Sequence, residues 1–428
     1  MALKPTAVAL VCLLSLSCSK RSGVETAAGD AAAVRMDAAD APSAPKMSLP
    51  FGAVRSKDGS FLVAGYSVPE KAILLFRSDR EGNAIWRKTI LEGTKWSEDA
   101  FARWFGDESG GGVLITMAGA KGRNAVRVSA DGSVADPVAI SGTYCATATS
   151  LVWVDAKRVV RTMSLASGAL SGMGSIPEGR EAKLVCTRAR PFVVGEGDDD
   201  VALYLPRAGH DGAYERVFSD ADFGNDELRD TFEFATARDV GMLRVGMSGS
   251  MAIREKGEGA LSPIRKLKTR LSEDDVAVDV DATDTAALLV LTHESDGTCG
   301  DSGIHLATRV SALRIDRKTE NEEVIALAGP SCDKEMGPFW TDVVGDAVVV
   351  SWVERSATPN KTDAPITGLV SVAVTAAGAG PLRRVDLRAD GVSNAGCGSD
   401  GCDVVALVRE PGATVMNAES VKAFHFGP

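Results

Sequence analysis

Short apolar runs, each the length of a strand, alternate with polar, Gly- and Pro-bearing punctuation from Phe51 almost to the end of the chain. The clearest case is Phe51 to Ile90, where FGAVRS, SFLVAGY, AILLFRS and AIWRKTI follow one another. Their β-branched and aromatic content favours strands, and none is long enough for a helix of ordinary length. Between them stand Asp58-Gly59, a loop containing Pro69, and Glu81 to Asn83. Asp-Gly suits a tight hairpin because Gly accepts positive φ without a Cβ clash and Asp can bond its own backbone. The stretch therefore predicts one four-stranded antiparallel unit. Such a unit alone would leave an apolar face and two edges exposed, so it needs neighbours, and radial repetition supplies them.

Later segments repeat the pattern. A second pass has strands around Phe101, Val113, Ala125 and Val134, with Asp131-Gly132 in the place of Glu81-Gly82. A third, Thr147 to about Ile176, keeps LVWVD and RVVRTMS but has weak outer strands. A fourth runs from Ala182 to about Phe218, a fifth from Phe232 to about Leu267, and a sixth begins near Val276. The seventh holds FWTDVVG, AVVVSWVE, TGLVSVAVT and LRRVDL, and the last, from Gly391, shows only CDVVALVRE and SVKAFHF. The sixth and seventh carry long insertions, SDGTCGDSG and SATPNKTDAP. The repeat length of about 47 residues is that of propeller blades. The expectation is an all-β chain, a β-propeller of about eight four-stranded blades, with seven left open by the poor third pass. A pair of β-sandwiches or an irregular solenoid is the alternative. A segment near Ala44 to Pro50 is expected to complete the last blade and close the ring.

RSDREGNAIW, through Asp79, Gly82, Asn83 and Trp86, resembles the closing string of repeats in bacterial β-propellers. At one residue less spacing it also resembles the tryptophan-docking repeat of quinoprotein dehydrogenases. Only this copy places a Trp there, so Trp86 is expected to pack one blade on the next. The Asp-box of sialidase-like propellers is absent, since Arg80 stands where that motif requires Asp.

The first 47 residues differ from the rest. Lys4 precedes an apolar stretch from Ala7 to Leu16, too short to span a bilayer, so residues 1–18 read as a signal peptide. LSLSC, ending at Cys18, resembles the lipobox of bacterial lipoproteins, although Ser15 and Leu16 depart from its usual residues. That resemblance implies lipidation of Cys18 and an address at the bacterial cell envelope, with its outer membrane as the expected one and the lipid as the sole membrane attachment. Cleavage by ordinary signal peptidase, giving a secreted protein, is the alternative. Residues 19–47 are rich in Ala, Ser, Asp, Gly and Pro, cannot bury enough surface to offset their ordering entropy, and read as a flexible tether. Residues 48–428 form the propeller domain.

Composition narrows the function. With 45% hydrophobic and 25% charged residues the chain can bury a large core, and its scarce aromatics, 5%, suit small flat strands packed face to face. The net charge of -11 removes the basic footprint of a nucleic-acid binder. Of eight cysteines, Cys12 leaves with the signal peptide and a lipidated Cys18 leaves six, an even number. Among fifteen connectivities the low-crossing choice pairs Cys145 with Cys186, Cys299 with Cys332 and Cys397 with Cys402, the last across the turn GSDG.

Candidate chemistry is thin. Four acidic clusters occur: GEGDDD ending at Asp200, Asp220 to Asp226, Asp279 to Asp284, and the loop around Asp301. The second departs from a calcium loop at Gly224 and Thr231, so no metal is expected. Asp279 and Asp281 alternate on a strand and would share one side. The histidines are His210, His293, His305 and His425, and no zinc, haem, acyl-transfer or nucleotide string occurs. No cofactor is expected. Trp96, Phe101 and Trp104 cluster between the first two blades, buried between them or, if exposed, a contact for sugar or protein. The expected function is a monomeric envelope lipoprotein presenting a propeller to a protein or glycan partner. The alternatives are a carbohydrate-active hydrolase or lyase using channel carboxylates, and a structural part of an envelope assembly.

Overall fold

The computed structural model describes residues 49–426 apart from interruptions, the longest being 92–102, 207–213, 296–306, 357–364 and 409–419. Apart from a single 3-10 turn at Asp220–Phe223, the assigned elements in it are strands. Strands β1 (Leu49–Arg55), β2 (Phe61–Ser67), β3 (Ala72–Ser78) and β4 (Ala84–Leu91) pair in sequence order as one antiparallel meander, as the opening pattern predicts. Gly59 sits at φ +81°, the left-handed conformation that the Asp-Gly turn calls for.

Six such four-stranded sheets follow one another, and a larger seventh sheet completes a seven-bladed arrangement. Sheet 2 holds β5 (Arg103–Gly106), β6 (Gly112–Met117), β7 (Arg123–Val128) and β8 (Val138–Ile140). Its outer strand begins beyond Val134, which makes only an isolated bridge to Val128 after the Asp131 turn. Sheet 3 is complete despite its weak sequence: β9 (Tyr144–Ala146), β10 (Ser150–Val154), β11 (Val159–Ser164) and β12 (Leu170–Ser175). Sheet 4 holds β13 (Glu181–Cys186), β14 (Pro191–Glu196), β15 (Val201–Pro206) and β16 (Tyr214–Ser219). Sheet 5 holds β17 (Leu228–Ala235), β18 (Val240–Gly246), β19 (Met251–Lys256) and β20 (Arg265–Lys266). Sheet 6 holds β21 (Asp275–Ala282), β22 (Ala286–Ser295), β23 (Ala307–Asp316) and β24 (Glu322–Ser331).

The seventh sheet departs from a simple repeat. It runs β25 (Lys334–Val344), β26 (Ala347–Ser356), β27 (Ile366–Thr375), β29 (Arg383–Gly398), β30 (Gly401–Val408) and β31 (Ser420–Phe426), with β28 (Gly378–Ala379) beside β27. Up to Ala389, β29 pairs with β27; from Ala389 onward it pairs with β30. The eighth sequence pass thus exists, as three strands hydrogen-bonded into the seventh blade through one continuous strand. Leu49 and Pro50, expected to close the last blade, instead pair with Tyr66 and Gly65 in sheet 1, because they open the strand that Arg55 ends opposite Phe61. Residues 44–48 lie outside the described residues.

The core lies between the sheets. Phe105, Ile115 and Ala125 of sheet 2 meet Leu151, Trp153 and Met163 of sheet 3 in one apolar layer. Similar layers join sheets 3 and 4, 4 and 5, 5 and 6, and 6 and 7. Leu62 and Leu75 of sheet 1 pack on Trp104 and Leu114 of sheet 2, with Trp86 against them, so Trp86 serves inter-blade packing as expected. On the other side of sheet 1, β1 lies alongside β29, which closes the ring.

Candidate functional site

The inner strand β21 holds Asp279 and Asp281, the alternating pair singled out in the sequence, and the structure employs them in the fold. A register shift between Ala277 and Asp279 bulges β21. Asp279 Oδ2 then accepts bonds from the Thr341 amide (2.8 Å) and hydroxyl (2.9 Å) on β25, strapping sheet 6 to sheet 7. Its Oδ1 accepts from the Val280 amide at 2.9 Å. Asp281 is only 2% exposed and accepts from the Ala282 amide at 3.0 Å. The two aspartates are therefore not a free pair lining an open channel.

At the start of β21 lies a Ser–Asp–His cluster. Asp275 and His293 are cross-strand partners, with Nδ1 of His293 3.0 Å from Oδ1 of Asp275. Asp275 Oδ2 accepts from the Ser272 amide (2.8 Å) and hydroxyl (2.7 Å). Burial pushes this carboxyl up, but the Ser272 bonds and the His293 ring outweigh it and hold it below the usual range. Arg229 of sheet 5 donates to the Asp275 carbonyl at 2.5 Å. A hydrolytic triad needs the histidine between the hydroxyl and the carboxylate. Here the carboxylate is the middle member, so His293 cannot take the Ser272 proton, and the cluster pins the entrance to β21.

Arginines provide most of the described polar links between sheets. Arg127 on β7 donates to the Ala166 carbonyl in the next sheet through Nε (3.2 Å) and Nη2 (2.7 Å), and its Nη1 reaches the Gly112 carbonyl. Arg314 on β23 reaches the Ala376 carbonyl of sheet 7 at 2.9 Å. Arg317 donates to Asp239 (2.5 Å), Glu255 (2.7 Å) and the Thr283 carbonyl (3.0 Å), joining sheet 6 to sheet 5. Asp222, in the cluster that resembled a calcium loop, pairs with Arg254 of sheet 5 at 3.0 Å. Among the described residues no group of His, Cys, Asp and Glu is placed to hold a metal ion.

Arg161 on β11 behaves differently. It lies in a groove of about 330 Å³ between the outer parts of sheets 2 and 3, with Trp153 and Asp155 inward and Leu170 to Gly172 at the rim. Its Nε donates to Asp155 Oδ2 at 2.9 Å. Desolvation raises the Asp155 carboxyl, but the amides of Val159 and Lys157 and the Arg161 guanidinium lower it more, so it stays ionised. No other polar partner of Arg161 occurs among the described residues.

Cys145 and Cys186 form a disulfide between β9 and β13, the inner strands of sheets 3 and 4, with Cα atoms 5.6 Å apart. Cys332 is disulfide-bonded too, and its expected partner Cys299 lies outside the described residues. Cys397 and Cys402 stand opposite each other in the β29–β30 register, as the Cys-turn-Cys spacing implies. Trp104 is buried between sheets 1 and 2. Trp96, Phe101, His210, His305, Asp200, Asp301, Cys18 and both long insertions of the sixth and seventh passes fall outside the described residues. Sequence reasoning passed over Arg161 and the linking arginines. For Arg127, Arg254 and Arg314 the available signal was the recurrence of Arg in the later half of the third strand of a pass, as also in Arg77; Arg161, near the start of β11, and Arg317, just past β23, lie outside that pattern.

No protein family model and no curated protein matches this sequence. Solved structures share its overall form. The chain is similar to an oligogalacturonate lyase from Vibrio parahaemolyticus, at 10% identity over 85% of this chain and 96% of that one, TM-score 0.46. It is also similar to the β-propeller domain of the Trilobed protease from Pyrococcus furiosus, at 11% identity over 78% and 97%, TM-score 0.43. A third is the WD40 domain of SCAP from fission yeast, at 7% identity over 88% and 96%, TM-score 0.40. The order of the sheets and the closure of β1 on β29 define the chain as a β-propeller, and a shared fold says nothing of function.

Proposed function

We propose that this chain is a lipid-anchored protein of the bacterial cell envelope, attached through Cys18, whose propeller binds a protein or glycan partner as a monomer. The observation that supports binding is the Arg161 groove: a charged group fixed on one side by Asp155 with room beside it. Of the two carboxylates a hydrolase would draw on, Asp279 is engaged in holding sheets 6 and 7 together and Asp281 is buried. The lipobox-like LSLSC supports the address, and the composition of residues 19–47 suits a tether that holds the ring away from a membrane.

Two experiments test this reading. Metabolic labelling with palmitate is expected to mark the wild type and not Cys18→Ala; equal labelling removes the anchor. Crosslinking on intact cells is expected to recover a bound partner. Conversely, turnover of a polysaccharide or ester by purified protein, abolished in Asp279→Asn while the thermal midpoint holds, would replace the binding role with catalysis.

A further inference from the structure

An outer strand of a propeller blade leaves a row of backbone groups unpaired, and proteins guard such edges with charge. The outer strands β4, β16, β20, β24 and β31 each carry Lys, Arg or Glu. β8 has none but is three residues long. β12, Leu-Ser-Gly-Met-Gly-Ser over residues 170–175, has six residues and no charge, and its first three are exposed. It ends its sheet in the order β12-β11-β10-β9, so among the described residues no strand pairs with its outer side.

Trp153, Arg161 and Gly172 are register partners on β10, β11 and β12, so they form one row across the sheet. Side chains in such a row share a face and lie about 4.8 Å apart. At Gly172 the row has no side chain, and the Nη1 group of Arg161 lies 3.5 Å from where a Cβ would stand there. Asp155 fixes Nε, which leaves the two-pronged Nη edge of a planar guanidinium available beside that gap. The other linking arginines described above use Nη groups on the adjoining sheet. A guanidinium edge of this kind binds carboxylates with two parallel bonds.

We propose that β12 takes an extended acidic segment of a protein partner as an added strand, with a glutamate or aspartate over Gly172 and its carboxylate held by Arg161. Strand addition supplies main-chain bonds, and the carboxylate sets the register. The added residue would lie two ladder spacings from β11, about 9–10 Å, a span that an extended arginine and an extended glutamate cover together. The exposed side chain of Leu170, 56% accessible, offers an apolar neighbour at the rim. This rests on the binding role proposed above and names the partner's chemistry.

The test uses the full chain and a capped, fluorescent hexapeptide that alternates threonine and valine around one central glutamate, with a glutamine counterpart. The glutamate peptide is expected to bind at least about tenfold more tightly than the glutamine one, the ratio expected for a charge-assisted fork. Arg161→Gln should abolish that preference, and Gly172→Val, which fills the gap, should weaken binding of both. Arg161→Lys, which retains charge without the fork, should recover part of it, and thermal melts identify any variant that fails to fold. Equal affinity for the two peptides, or an unchanged preference in Arg161→Gln, overturns the proposal; so does displacement by a uronate oligosaccharide in place of the peptide. If cells yield a crosslinked partner that Arg161→Gln and Gly172→Val capture equally, this inference fails while the binding role stands. If neither peptide nor partner binds, both fail.

Discussion

Replacing Arg317 with Met removes the ion-pair centre between sheets 5 and 6, and the structure sets the size of the effect. The guanidinium is 8% exposed and donates to two carboxylates and one carbonyl. Burial works against the charged guanidinium, yet Glu255 and Asp239 raise its pKa above the ordinary value, so it is charged at any relevant pH. Breaking a fully buried pair costs about 3–5 kcal/mol, chiefly because an unpaired charge stays behind. Asp239 and Glu255 retain 25% and 18% exposure, so water takes up part of that loss. A loss of about 2–3 kcal/mol follows. With an unfolding entropy of roughly 2.1 cal/mol/K per residue, a ring of about 380 residues would lose about 3–4 °C in thermal midpoint. Arg317→Met combined with Asp239→Asn and Glu255→Gln should recover part of the loss, because no charge is then left unpaired. The assay is calorimetry of the wild type and these two variants at one scan rate. A shift below about 1 °C for Arg317→Met, or a combined variant less stable than it, refutes the reasoning.

Two further outcomes follow from individual groups. Desolvation raises the Glu322 carboxyl, but bonds from the Lys268 and Thr269 amides outweigh it and hold its pKa below the ordinary glutamate value. Its stabilisation is therefore complete above the unfolded value, about 4.3, and is lost as pH falls through the lower folded value. Glu322→Gln should flatten the acid limb of midpoint against pH in that window and change little at pH 7 relative to pH 6; an unaltered acid limb sinks the assignment. The Cys145–Cys186 bond spans 41 residues, for which loop closure gives about 4 kcal/mol as an upper figure. Cys145→Ala with Cys186→Ala should lower the urea midpoint by an amount equivalent to about 2–4 kcal/mol, and reductant should cost the wild type more than it costs this variant, which keeps the Cys332 bond. Indistinguishable midpoints with and without reductant would contradict the bond.

The fold was legible where local chemistry and tertiary need agree. Phe51 to Ile90 reads as a meander because its two middle strands are apolar on both faces and each gap has turn residues, and β1 to β4 match it closely. Sheet 3 read poorly because β9 has three residues and β12 is Ser- and Gly-rich, so pairing with β10 and β11 makes strands that composition does not announce. The joining of the seventh and eighth passes was hidden for another reason. Ala389 pairs with both Ile366 and Val408, and nothing in the local pattern tells whether a chain turns there or runs straight on. The site was less legible still. Asp279 and Asp281 look like a reactive pair in one dimension, and only the position of Thr341, 62 residues away, gives Asp279 its role. Arg161 resembles any strand arginine until its neighbours are known: Gly172, which makes room, and Asp155, which fixes Nε.

The continuous strand β29 gives the ring an unequal resistance to being opened. Between β27 and β31 the backbone ladder is unbroken, so a pull on the C-terminal end passes through β30 into sheet 7 without meeting a boundary between blades. On its other flank β29 faces β1 as part of another sheet, with no ladder between them. The chain itself crosses every other seam as it passes from one sheet to the next but not this one, so a ring under load, or one admitting an inserted domain, is expected to part first along the β1–β29 seam. It would open there as a hinge between whole sheets, leaving the ladders of both intact.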